Sequence, residues 1–151
     1  MGSYEVARST SIVAEPQQVH ALLDDLREWR RWSPWEDVDP DLDRTYGGPG
    51  SGVGATYAWK GNRKAGQGRM EITGSTPERV DVALAFVKPF KAENQVTFTL
   101  TPTATGTDVT WTMRGEQRGV AALLGRVVSM DRLVGKDFEK GLARLKAAAE
   151  D

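Results

Sequence analysis

Between residues 55 and 113 the chain alternates apolar and polar side chains with a period of two. Ala55, Tyr57 and Trp59 share one side of "ATYAWK", and Met70 and Ile72 oppose Arg69 and Glu71 in "GRMEIT". Val80, Val82, Leu84 and Phe86 recur on one side of "RVDVALAFV", Val96, Phe98 and Leu100 on one side of "NQVTFTLT", and Val109, Trp111 and Met113 on one side of "DVTWTMRG". Such alternation predicts antiparallel strands with one covered face and one wet face. Gly61-Asn62, Thr76-Pro77, Lys88-Pro89 and Thr105-Gly106 punctuate the runs with turn chemistry. Residues 4–14, "YEVARSTSIVA", are rich in β-branched side chains and predict one more strand ahead of them.

Two stretches change period. Pro16 suits the first turn of a helix with Glu15 near its positive end, and Val19, Leu22, Leu23 and Leu26 form a helical stripe. A second short helix carries Glu28 to Trp32 and is stopped by Ser33-Pro34. After Gly119, Val120, Leu123, Leu124, Val127 and Val128 follow a helical period. Met130, Val134, Phe138, Leu142 and Leu145 extend it towards the C-terminus. The predicted order is strand, two short helices, about six strands and one long helix, an α+β arrangement. A sheet with one apolar face requires a cover, and the long helix is the element available. Neither an internal repeat nor a linker divides the chain, so residues 1–151 are expected to form a single domain.

Composition narrows the chemistry. The 39% apolar and 27% charged residues fit a globular protein, and a net charge of −1 offers no basic field for a polyphosphate or nucleic acid. The absence of cysteine excludes disulfides, thiolate catalysis and thiolate-bound zinc. No apolar run approaches the ~18 residues of a membrane span. "MGSYEVARST" lacks the apolar core of a signal peptide, and Val6 stands where a myristoylation signal needs Ser or Thr. A soluble cytoplasmic protein is expected, with neither cofactor nor metal.

Several motifs admit two readings each. Trp29, Trp32 and Trp35 recur in steps of three; they either seal the open end of the sheet or, for Trp32 and Trp35, line a cavity entrance and stack on a flat ligand. Tyr57, Trp59, Phe86, Phe98 and Trp111, with Met70 and Met113, either fill a core or wall a pocket, with the Tyr57 hydroxyl as polar anchor. "GGPGSGVGA" at 47–55 fits a dinucleotide fingerprint by letter, but a strand pattern follows it where a helix is required, so a flexible hairpin loop is expected. Asp39, Asp41 and Asp43 resemble the start of a calcium loop. Arg44 and Gly50 occupy positions that need Gly and Glu, which leaves a solvated strand edge. Gly135 and Gly141 in the long helix serve either close packing or ligand space. His20, the only histidine, reads as half-buried with no carboxylate obviously placed to orient it. Arg8 shares its parity with Val6, Thr10 and Ile12; facing inward it would meet an anionic group or enolate, facing outward it is solvated.

The order of elements, together with "EPQQVHALLDDLREWRRWSPW", Asp39-Pro40, "YGGPGSGVGATYAWKG", "GQGRMEITG", "LAFVKP" and "MDRLVGKDFEKGLARLK", resembles the polyketide cyclase/dehydrase-like branch of the START/Bet v1-like (SRPBCC) superfamily. The likeness spans about residues 4–148 and departs at His20, where many relatives carry an aromatic residue. It implies a helix-grip fold: a curved antiparallel sheet of about seven strands wrapped around the C-terminal helix, with two short helices after strand 1 and a cavity between sheet and helix. The ligand expected there is a small hydrophobic molecule, aromatic or lipid-like. Expected binding residues are Trp32, Trp35, Tyr57, Trp59, Met70, Phe86, Phe98, Trp111, Met113, Met130, Val134, Phe138 and Arg8. The alternatives are a polyketide cyclase or dehydratase drawing on Tyr57, Arg8 or His20, and a module that binds a protein partner. Fold sets an expectation for shape more than for chemistry.

Overall fold

A computed structural model describes residues 3–36, 39–63, 65–88, 91–116 and 130–150. Seven strands form one antiparallel sheet: β1 (Ser3–Ile12), β2 (Asp43–Gly47), β3 (Thr56–Lys60), β4 (Gln67–Thr76), β5 (Arg79–Lys88), β6 (Ala92–Pro102) and β7 (Thr107–Glu116). Their spatial order is β1-β7-β6-β5-β4-β3-β2, so five hairpin connections build the sheet and β1 docks on the last strand. Helix α1 (Pro16–Leu23) and a 3₁₀ helix (Glu28–Arg31) follow β1, and helix α2 (Met130–Glu150) closes the chain. This is the α+β, helix-grip-like arrangement. The helical run expected at Val120–Val128 and the proline of Lys88-Pro89 lie outside the described residues, as does the side chain of Met130.

The strands bury the faces that their alternation predicts. Val80, Val82 and Leu84 are buried on β5, Val96, Phe98 and Leu100 on β6, and Val109, Trp111 and Met113 on β7, all turned towards the helices. Register shifts at Gln67/Gly68 and Ile72/Gly74 interrupt the β4–β5 ladder. Such bulges bend a strand and raise its twist, which helps the sheet curve around α2. Glycines at positive φ (Gly48, Gly52 and Gly54) turn the chain between β2 and β3. That connection is tethered rather than loose: the Gly52 N–H donates to the Asp24 carbonyl at 2.8 Å and the Gly54 N–H to the Ile72 carbonyl at 2.9 Å.

The tryptophans explain how the short helices are held. The Trp29 indole N–H donates to the Leu23 carbonyl and that of Trp32 to the Leu22 carbonyl, each at 2.9 Å. The last carbonyls of a helix have no partner within it. Two indoles therefore complete the end of α1 while burying their rings, which retain 5% and 0% exposure.

The two helix glycines separate in their consequences. A Cβ at Gly141 would stand 2.8 Å from Trp111 Cζ3 and 2.9 Å from Pro34 Cδ, both parts of rigid rings. A Cβ at Gly135 would meet the far end of the flexible Arg8 side chain. Alanine normally stabilises a helix interior by about 1 kcal/mol over glycine. We expect Gly135→Ala to be neutral or stabilising. Gly141→Ala should lose about 1 kcal/mol net, because overpacking of roughly 1–3 kcal/mol outweighs the propensity gain. Thermal melts of the two variants read the contrast: Tm should fall by about 3 °C for Gly141→Ala alone.

Candidate functional site

Between the inner face of the sheet and α2 lies a cavity of about 360 Å³. Nine of the residues expected to bind ligand line it. Trp35 comes from the loop after the 3₁₀ helix, Tyr57 and Trp59 from β3, Met70 from β4, and Phe86 from β5. Trp111 and Met113 come from β7, and Val134 and Phe138 from α2. Trp35, Trp59, Phe86 and Val134 are only partly buried and mark the open side of the cavity.

The walls are built from named packing events. Trp59 stands opposite Gly68 in the β3–β4 register. A Cβ at Gly68 would lie 2.5 Å from the Trp59 ring, so only glycine lets the indole lie flat across β4. The Trp59 N–H is fixed by the Ala65 carbonyl at 2.9 Å. Tyr57 stacks on Trp59, with centroids 5.9 Å apart and planes at 19°. Phe138 stacks on Trp111 at 4.0 Å and 6°, which fills part of the space under α2. Trp35 meets that stack edge-on, and its N–H donates to Asp137 Oδ2 on α2 at 3.3 Å.

The remaining expected residues are placed elsewhere. Trp32 and Phe98 are fully buried, pack edge to face on each other, and contact Trp111 without lining the cavity. Arg8 is on the helix-facing side of β1, opposite Trp111 in register, but lies against α2. Its Nε donates to Glu139 Oε2 at 3.0 Å. His20 also lies outside the lining, and a carboxylate does stand beside it. Its Nε2 is 3.0 Å from Ser75 Oγ and its Nδ1 is 3.7 Å from Asp24 Oδ2. Ser75 Oγ is itself 3.4 Å from that same carboxylate oxygen. The three groups form a triangle, whereas a nucleophile relay needs the carboxylate beyond the imidazole from the serine. The set joins α1 to β4. Asp39, expected on a solvated edge, is instead buried, and its carboxylate accepts the backbone N–H groups of Asp41 and Asn62 at 2.9 and 2.8 Å.

Leu26, Trp29, Leu42, Ala65, Leu84 and Val96 complete the apolar wall, with Ser33, Glu36, Lys88 and Asp137 as polar members. Leu84 and Val96 share parity with Phe86 and Phe98, so their facing was readable. Leu42, Ser33 and Glu36 come from aperiodic chain and gave no signal.

Burial raises the phenol of Tyr57 above its ordinary value of 10.0, Glu36 adds to the effect and Arg44 opposes it. Burial likewise raises Tyr46 and Tyr4. These are all three tyrosines of the chain. Above pH 10.0 the unfolded chain releases phenolic protons that the folded chain retains, so unfolding becomes more favourable as pH rises. The contribution is complete below that pH and is lost above it. Tyrosinate absorbance in an alkaline titration should therefore appear together with loss of helical circular dichroism. Full ionisation of the folded protein near pH 10 would refute it.

No helix among the described residues is long and apolar enough to cross a membrane. Among curated protein sequences none matches the chain. Solved structures do match in fold. Protein CV1439 of Chromobacterium violaceum superposes with a TM-score of 0.70 at 15% identity, covering 97% of each chain. Aha1 of Colwellia psychrerythraea, solved as a dimer, gives 0.63 at 19%, covering 97% of this chain and 96% of that one. DynU16, a protein of the dynemicin biosynthetic locus, gives 0.65 at 19%, covering 95% of this chain and 46% of that one. The family described as "Polyketide cyclase / dehydrase and lipid transport" matches residues 3–150, and the chain belongs to that family.

Proposed function

We propose that the protein binds a small, mainly apolar molecule, aromatic or lipid-like, between the sheet and α2. The cavity carries this reading. Its 360 Å³ falls in the range of ligand sites, and its walls are aromatic, aliphatic and methionine side chains with few polar groups. The volume equals the liquid share of roughly twelve waters at about 30 Å³ each, yet an apolar hollow gives water few partners. The stacked Tyr57 and Trp59 rings supply a platform for a planar ligand. Met70 and Met113 supply adaptable surface.

The test is titration with the uncharged fluorophore N-phenyl-1-naphthylamine. We expect a blue-shifted emission and a micromolar Kd, about −8 kcal/mol. At about a hundredfold excess over Kd, linkage adds about 2.7 kcal/mol of stability, readable as a rise in Tm. Absence of both signals, with this probe and with neutral lipids and polyketide-like aromatics, would defeat the reading.

Asp137 favours a second reading. It places a carboxylate from α2 on the cavity wall, held by the Trp35 N–H. A cyclase or dehydratase needs a base of this kind to take a proton next to a carbonyl. Asp137→Asn should then abolish turnover of a polyketide-like chain while probe binding persists; equal turnover in the variant excludes that role.

A further inference from the structure

Beside the cavity, an open surface groove gathers four arginines from three elements: Arg30 and Arg31 on the 3₁₀ helix, Arg44 on β2 and Arg144 on α2. Among the described residues one carboxylate, Glu36, lines it with them, on a chain whose net charge is −1. Glu36 is matched by Arg44 at 3.2 Å, and Arg30 and Arg31 add two exposed guanidinium groups to the groove. The Arg31–Glu28 pair is 3.5 Å apart with side chains 49% and 41% exposed, so solvent screening leaves it little effect. Arg144 donates to the Ser33 carbonyl at 3.2 Å, which turns it towards the loop that separates groove from cavity.

That separation is thin. Glu36 lines both hollows, and Ser33, which receives the Arg144 hydrogen bond, lines the cavity. Arg44 reaches from the groove to Glu36 and influences the Tyr57 phenol on the cavity wall. A charged group leaving the cavity beside Glu36 would meet guanidinium groups, whose planar forks suit carboxylate, sulfonate or phosphate oxygens. We propose that the ligand is an anionic amphiphile, with its apolar body in the cavity and its anionic end in the arginine groove. This rests on the cavity reading and adds the charge of the ligand.

A matched pair of probes tests it. 1-Anilinonaphthalene-8-sulfonate carries the apolar body of N-phenyl-1-naphthylamine plus one sulfonate. We expect the sulfonate probe to bind about tenfold more tightly at low salt. That advantage should disappear as ionic strength rises from about 0.01 M to about 1 M, where the screening length falls from roughly 30 Å to roughly 3 Å. Arg30 and Arg31 are exposed, so the double substitution Arg30→Gln, Arg31→Gln should leave the fold intact and remove most of the advantage. If the uncharged probe binds and the sulfonate adds nothing, the cavity reading stands and this inference is overturned. It is equally overturned if the advantage survives the double substitution, or vanishes only in Lys88→Gln. If neither probe binds, the cavity reading fails and this inference with it.

Discussion

Phe138→Ala should cost about 3–5 kcal/mol, a large share of the roughly 5–15 kcal/mol that holds a typical domain folded. Phe138 has 0% exposure and carries the docking of α2 onto the sheet through its stack on Trp111. Truncation removes the ring's buried area, the stacking contribution of about 0.5–1.5 kcal/mol and the edge contact to Trp35. It also widens a cavity that already exists, so neighbours have little reason to collapse inward. Phe138→Leu keeps most of the apolar volume and should cost less than half as much. Urea unfolding with an unchanged m-value reads both, and Tm should fall by about 6–20 °C for the alanine variant. A loss below about 1 kcal/mol would mean that α2 is held by other contacts, chiefly those of Leu142 and Leu145.

These contacts mark the boundary of what the residues reveal when taken in order along the chain. Alternation at period two assigns faces correctly from Tyr57 to Met113, because pleating forces it regardless of partner. The 3.6-residue helical period likewise places Val19, Leu22 and Leu23 on the buried face of α1. Parity, however, says which side a residue faces and not whether the opposite space is filled. Phe86 and Phe98 face the same way, yet Phe98 meets Trp32 and Trp111 while Phe86 borders the cavity. The difference lies in what α2 and the 3₁₀ helix bring overhead, which depends on contacts across the whole fold. Arg8 shows the same limit: parity with Val6 and Thr10 left both facings open, and its partner Glu139 is 131 positions away. His20 and Asp24 stand one helical turn apart, a visible spacing, whereas Ser75 arrives through β4. Glu36 and Arg44, at the wall between cavity and groove, lie in or beside a loop with no periodicity to read.

Val134→Trp should remove probe binding, by about a hundredfold or more, while leaving stability unchanged or slightly raised. Val134 lines the cavity from α2 and is partly buried, so its side chain already points where a ligand would sit. An indole in place of its isopropyl group occupies that volume without displacing a wall. In a filled core the same change costs about 1–3 kcal/mol through off-rotamer side chains and backbone shifts. In a hollow of 360 Å³ it adds buried apolar area instead, at about 25 cal/mol per Å². The two measurements together decide the matter, since loss of binding alone would also follow from misfolding. Lost binding with an unchanged or higher Tm identifies an open, ligand-competent space. A lower Tm with binding retained would place the ligand elsewhere and leave Val134 as ordinary core.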